Sequence, residues 1–251
     1  MSYTRIVQYG NITELYLYEK NRTNNRRPYV SSLTKKRAKK KREEAKKKGF
    51  YKRSKRNILR SIKSFFQLCH HNNCIASSIH FFTLTFAYEI TYKEACRNVA
   101  RFMEKVKKHF PTIPLSYISV PELTKKGRFH FHLLVYNLPS EKTITERKTR
   151  NFQVLFERGY IDIMPASYTS EGLAGYMAKY MAKALRDEEN ETTRGFNCSR
   201  NIERPRSKGS NTLNQYLDLI IPTVDIEILE NREYDVPYLG KCLMSRVKLK
   251  S

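Results

Sequence analysis

The stretch Arg128-Phe129-His130-Phe131-His132-Leu133-Leu134-Val135-Tyr136 decides the fold. Side chains alternate across a β-strand, so Phe129, Phe131, Leu133 and Val135 share one face while His130 and His132 share the other, about 7 Å apart by backbone rise. The apolar side chains anchor a core and the imidazoles are presented away from it. An antiparallel sheet can pack one face and leave the other for chemistry or nucleic acid, and that arrangement is expected here.

Working outward, His80 to Phe86 (HFFTLTF) is a second such strand, with Phe82, Leu84 and Phe86 on one face and Phe81, Thr83 and Thr85 on the other. Residues 91 to 109 carry Ala95, Val99, Phe102, Met103 and Val106 at spacings of three and four. They predict a helix that opens near Thr91 and stops before Pro111. Leu115 to Val120 reads as a strand, and Lys125-Lys126-Gly127 as the tight turn into Arg128. Residues 143 to 157 predict a helix ending at Gly159, Tyr160 to Met164 a strand, and Thr169 to Arg186 a final helix. The order β-α-β-β-α-β-α begins with the split βαβ pattern of ferredoxin-like sheets. The expected class is therefore α+β, a central antiparallel sheet flanked by helices.

Upstream, Ile58, Ile62, Phe65, Phe66 and Leu68 recur at helical spacing with Arg56, Arg60 and Lys63 between them, which predicts an amphipathic helix with a basic flank. Before it, Lys35 to Lys48 reads KKRAKKKREEAKKK, too charged to fold alone. The chain's formal charge is +24. Residues 1–66 hold 21 Lys or Arg against 4 Asp or Glu. Such an excess attracts polyanions, and binding by phosphate neutralisation weakens steeply with salt. The expected organisation is a basic, partly disordered arm over 1–56, a domain over 57–206 and an extension of unassigned structure over 207–251.

With no run of 18 apolar residues, a membrane-spanning helix is excluded. The opening Met1-Ser2-Tyr3-Thr4-Arg5 lacks the apolar core of a secretory signal, so the chain is expected to stay in the cytoplasm where it is made. Five cysteines at irregular spacings fit free thiols better than a disulfide framework. The Cys69…Cys74 segment has neither the spacing nor the second ligand pair of a zinc site.

Two constellations carry chemistry. His130 and His132 can ligate one metal ion, and Glu122, returned beside them by the turn, is the candidate third ligand. That set alone leaves zinc and non-haem iron open. The second constellation is Tyr176-Met177-Ala178-Lys179-Tyr180-Met181-Ala182-Lys183. On a helix Tyr176 and Tyr180 are i and i+4 neighbours, with Lys179 and Lys183 beside them, while Met177 and Met181 turn towards the core. A tyrosine attacks well when cations stabilise its phenolate or the phosphate it meets. Together the constellations fit in-line attack by tyrosine on a DNA phosphodiester.

These residues resemble the HUH endonuclease superfamily, in particular the rolling-circle replication initiators of single-stranded DNA phages and plasmids. The resemblance rests on Phe82-Thr83-Leu84-Thr85, on Glu122 with Gly127 and His130-Phe131-His132, and on Tyr176 to Tyr180; Ser199-Arg200 and Pro205 are similar to a downstream element. It covers roughly residues 57–206, including a basic upstream helix from Asn57 to Asn72. Phe156-Glu157-Arg158-Gly159 departs from the family's usual tryptophan before the glycine.

The resemblance implies Mg²⁺ or Mn²⁺ held by His130, His132 and Glu122, with Tyr176 and Tyr180 as nucleophiles. Single-stranded DNA at a replication origin is the implied substrate, contacted by Thr83, Thr85, Arg128, Lys125, Lys126, Arg56, Arg60 and Arg200. With no phosphate-binding Walker loop in the chain, no nucleotide cofactor is expected, and a host helicase and polymerase are expected partners. An HUH relaxase or transposase is the neighbouring alternative. A non-catalytic RRM-like RNA-binding module is the distant one, since it would place aromatic residues where His130 and His132 stand.

Overall fold

The computed structural model describes residues 3–20, 33, 36–37, 39–40, 55–124, 126–139, 146–165, 169–186, 195–210, 226–236 and 239–249. The chain divides into two units, Lys55–Arg204, and Met1–Ser54 with Pro205–Ser251. In the first unit, helix α1 (Lys55–Ile75) leads into β3 (Ile79–Phe86), α2 (Tyr92–His109), β4 (Ser116–Leu123), β5 (Phe129–Tyr136), α3 (Glu146–Leu155), β6 (Gly159–Pro165), α4 (Ser170–Arg186) and β7 (Asn197–Cys198). The sheet order is β6-β3-β5-β4-β7, with every neighbouring pair antiparallel. Its first four strands are the split βαβ arrangement, so the unit is α+β and ferredoxin-like.

Alternation on β5 sends Phe129, Phe131, Leu133 and Val135 into a core with Phe82, Leu84 and Phe86 of β3, Val99, Phe102, Met103 and Val106 of α2, and Phe152 and Phe156. Phe156 meets Phe86 and Phe102 edge to face, with centroids 5.3 and 5.6 Å away. Pairs of this kind add about 0.5–1.5 kcal/mol each beyond their buried area. α2 starts on a capping box: the Thr91 hydroxyl accepts from the Glu94 amide, and the Glu94 carboxylate accepts from the Thr91 amide. Between β4 and β5 the Thr124 amide donates to the Arg128 carbonyl, and Gly127 sits at φ 70°, a left-handed conformation that side chains resist. This turn sets the register that puts Glu122 opposite His130.

The second face of the sheet is not open, as expected, but half covered. Phe65, Leu68 and Cys69 of α1 and Leu173, Ala174, Met177 and Met181 of α4 pack on Phe81, Ile118, Val120, Leu134 and Tyr136. The physical reason lies in those strand residues: that face is apolar across β4 and at the Tyr136 end of β5, and burying it stabilises the sheet by about 25 cal/mol per Å². Towards β6 the same face stays exposed at Tyr160, Asp162 and Met164.

The second unit corrects the expected arm and extension. It is a five-stranded antiparallel sheet in the order β8 (Arg206–Ser210), β1 (Tyr3–Tyr9), β2 (Ile12–Tyr18), β10 (Gly240–Leu249), β9 (Ile226–Val236). Residues 3–18 are thus strands rather than arm, and part of 207–251 supplies their partners. At its centre the fully buried Glu14 accepts hydrogen bonds from the Tyr9 hydroxyl (2.9 Å), the Tyr16 hydroxyl, and the Arg246 guanidinium (3.1 and 3.2 Å). The basic run 35–48 lies outside the described residues, save for Lys36, Arg37, Lys39 and Lys40, which are helical.

Candidate active site

β5 presents His130 and His132 on the half-covered face, and the register fixes their neighbours. One row across the sheet is Thr85, His130 and Glu122; the next is Thr83, His132 and Val120. His132 is buried, its ring lying 5.7 Å from Phe81 and 3.9 Å from Tyr180 between centroids. Its Nε2 meets Glu122 Oε2 at 2.8 Å, and the other carboxylate oxygen accepts from the Lys183 ammonium. Burial pulls the His132 pKa below the ordinary histidine value, against the upward pull of Glu122. For Glu122 burial pushes upward, and the hydrogen bonds from Lys183 and His132 outweigh it, so the carboxyl is held below its ordinary range.

α4 supplies the phenols. Leu173, Met177 and Met181 form its buried seam, which leaves Tyr176 and Tyr180 at the boundary, half-buried. The Tyr176 and Tyr180 hydroxyls hydrogen-bond at 2.8 Å, and the Tyr176 ring stands edge-on to Phe81 at 5.6 Å. Burial raises the Tyr180 pKa, and the Tyr176 hydroxyl and the Glu122 charge raise it further. Lys183 bonds Glu122, and Lys179 is exposed. The expected pattern of one lysine beside each tyrosine therefore differs here, because a buried carboxylate draws an ammonium more strongly than a neutral phenol does.

Tyr176, Tyr180, His132, Glu122 and Lys183 thus come together, with His130 beside Glu122 in register. Thr83 and Thr85 are half-buried on the same face. Lys126 and Arg128 are exposed at the β4–β5 turn, and Lys125 lies outside the described residues. Arg60 is exposed on α1, which also carries Arg56, and Arg200 is exposed after β7. Phe81 was not expected at the site: it separates the His132 ring from the Tyr176 ring. Its signal was present in the alternation of β3, which puts it on the face of Thr83 and Thr85.

Residues 79–185 match the model of a family of replication-associated proteins, the ORF2 type. The match begins at the first residue of β3 and ends one residue before the end of α4, so it contains the whole cluster just described. No curated protein matches the chain, and no solved structure matches it. Over this stretch the chain is similar to replication-associated proteins, which accords with DNA as its partner. No helix among the described residues is long and apolar enough to cross a membrane.

A divalent metal is tested here by donor chemistry. Two imidazoles and a carboxylate on adjacent strands are the right donor types, and the buried Nδ1 of His132 has no hydrogen-bond partner. Among the described residues no three such groups converge on one point, because His132 and Glu122 bond each other directly. The residue set fits a hard divalent ion in kind.

Proposed function

We propose that this chain is a rolling-circle replication initiator of the HUH type that nicks single-stranded origin DNA and later rejoins it. The observation that carries the reading is the tyrosine pair of α4 standing against the ring of His132, itself bonded to Glu122. One phenol oxygen attacks the scissile phosphorus. The Tyr Oη–P bond forms as the P–O3′ bond breaks, the phenolic proton is given up, and a proton ends on the released 3′-hydroxyl. The product is a 5′-phosphotyrosine link and a 3′-OH primer, and the reverse step restores the phosphodiester.

Phe81 and His132 hold the two tyrosines in place by ring packing, so each needs little reorganisation to reach a phosphate on the half-open face. Lys183, tethered to Glu122, sets a cation beside the charge that develops in the transition state. Mg²⁺ or Mn²⁺, held by His130, His132 and Glu122, would polarise a non-bridging phosphate oxygen. An RNA-binding module would instead want an open aromatic face where α4 lies. Host helicase and polymerase would act on the primed strand.

The test is a denaturing gel of protein incubated with a 3′-labelled single-stranded DNA pool and Mn²⁺ or Mg²⁺. Label migrating with the protein, and lost in EDTA, is expected; free label alone would remove the reading.

A further inference from the structure

The half of the sheet face that α1 and α4 leave uncovered has its own chemistry. On the edge strand β6, Tyr160 is 69% exposed and Met164 49% exposed, with the exposed Asp162 between them. Register ties this strip to the candidate site. Tyr160 pairs with Thr85, which pairs with His130, which pairs with Glu122; Asp162 pairs with Thr83, which pairs with His132. Tyr160 thus stands two strand spacings, about 10 Å, from the metal-type histidine on the same face. Exposed rings beside a nucleic-acid backbone site are the ordinary stacking surface for unpaired bases.

Two further observations choose the occupant. A second copy of the chain would be held off by a formal charge of +24 on each partner, whereas a polyanion is drawn in. Edge-to-edge pairing at β6 is also blocked, since the Gln153 side chain of α3 donates to the Gly159 carbonyl and accepts from the Ile161 amide. Asp162 settles which part of the nucleotide lies there. Among the described residues no ion pair engages it, so its carboxylate repels a phosphate but accepts from a base edge. A carboxylate has two acceptor oxygens, and guanine is the base that offers two adjacent donors, N1–H and the N2 amino group, on its Watson–Crick edge.

The geometry points to a base-recognition subsite on β6, in which one unpaired base near the scissile phosphate stacks on Tyr160 and is read by Asp162, with guanine preferred. This deepens the proposed nicking function and rests on it. Met164 extends the apolar floor, and Thr83 and Thr85 line the path to His130 and His132. The arrangement separates two tasks on one sheet face. β6 reads a base, and β5 with α4 handles the phosphate.

The experiment uses the full chain, a single-stranded DNA pool with randomised positions, and sequencing of the bound strands. The wild-type protein is expected to enrich guanine at one position, and Asp162→Asn to lose that enrichment while still binding. Tyr160→Ala is expected to weaken binding about tenfold across all sequences, with Tyr160→Phe restoring it. Unchanged enrichment in Asp162→Asn, or unchanged affinity in Tyr160→Ala, overturns the subsite. The covalent adduct, followed in parallel, separates the two readings: adduct formation with no effect of either substitution removes the subsite alone. A wild-type protein that neither binds the pool nor forms adduct removes both. Tyr160 and Asp162 are exposed, so neither change disturbs the core.

Discussion

The hydroxyl of Tyr176 lies 2.8 Å from that of Tyr180, close enough that one phenol donates its proton to the other's oxygen. Two nucleophiles in direct contact are chemically interchangeable but energetically linked. Tyr176→Phe together with Tyr180→Phe is expected to abolish the DNA adduct, while each single variant retains some. In urea unfolding, a double-mutant cycle on the pair should give a coupling of about 0.5–1.5 kcal/mol, the usual net worth of a hydrogen bond. A coupling indistinguishable from zero would mean that the contact is not formed in solution.

The His132–Glu122 bond gives stability a pH dependence whose sign can be worked out. His132 folded titrates below its ordinary 6.5, so the unfolded chain takes up the proton first. Its contribution is complete above that value and is lost as pH falls through the lower folded pKa. Glu122, also lowered, behaves the same way below 4.5. Stability should therefore fall monotonically from neutral to acid pH in metal-free protein. Glu122→Gln removes the upward pull on His132, so the histidine should titrate lower still by NMR; titration at or above the ordinary value would contradict the burial argument.

Much of the first unit was legible in the sequence because its signals are local. Period two in β3 and β5, period three to four in α2 and α4, and the Gly127 turn each sit within a few residues. Glu122 was placed beside the histidines by the turn alone. Its bond to His132 rather than to its register partner His130 was not readable, since register fixes a face and not a side-chain direction. The second unit escaped altogether. β1 and β2 find their partners some 200 residues away, and a buried Glu14 breaks the apolar alternation that would have marked β2. Cover by α1 and α4 was missed for a related reason: amphipathic helices show that they pack, not on what.

Gly159 opens β6 where the strand crosses closest to β3. A Cβ at this position would stand 1.9 Å from the Thr85 carbonyl oxygen and 2.8 Å from the Ala87 amide nitrogen, both backbone atoms that cannot swing aside. Gly159→Ala is expected to cost about 1–3 kcal/mol through this overpacking. Because Tyr160 follows directly, the same variant should weaken single-stranded DNA binding. Wild-type stability by chemical denaturation would show that the two strands lie farther apart.

In the second unit, Glu14→Ala would leave the Tyr9 and Tyr16 hydroxyls and one arm of Arg246 without their shared acceptor. Breaking a buried charged pair costs about 3–5 kcal/mol, and the loss should fall at the lower end because Arg246 is partly exposed and keeps Glu230. Glu14→Gln retains an acceptor and should lose less. Equal stability of all three proteins in thermal melts would show that the carboxylate is not what holds the strands.

The basic run 35–48 is best tested by substitution rather than truncation, and the fold gives the reason. Deleting residues 1–56 would remove β1 and β2, the middle of a five-stranded sheet, and so confound DNA affinity with the loss of that unit. Replacing the Lys and Arg of 35–48 with Gln leaves the strands intact. For every phosphate no longer neutralised, the slope of log binding constant against log salt should flatten by about 0.7 for single strands. Affinity at low salt is expected to drop by more than tenfold, with adduct formation at saturating DNA unchanged, because Tyr176, Tyr180, His132 and Glu122 all lie in the other unit. An unaltered slope would place the phosphate-binding cations elsewhere, on Arg60, Lys126, Arg128 and Arg200, and would leave the run without a part in binding.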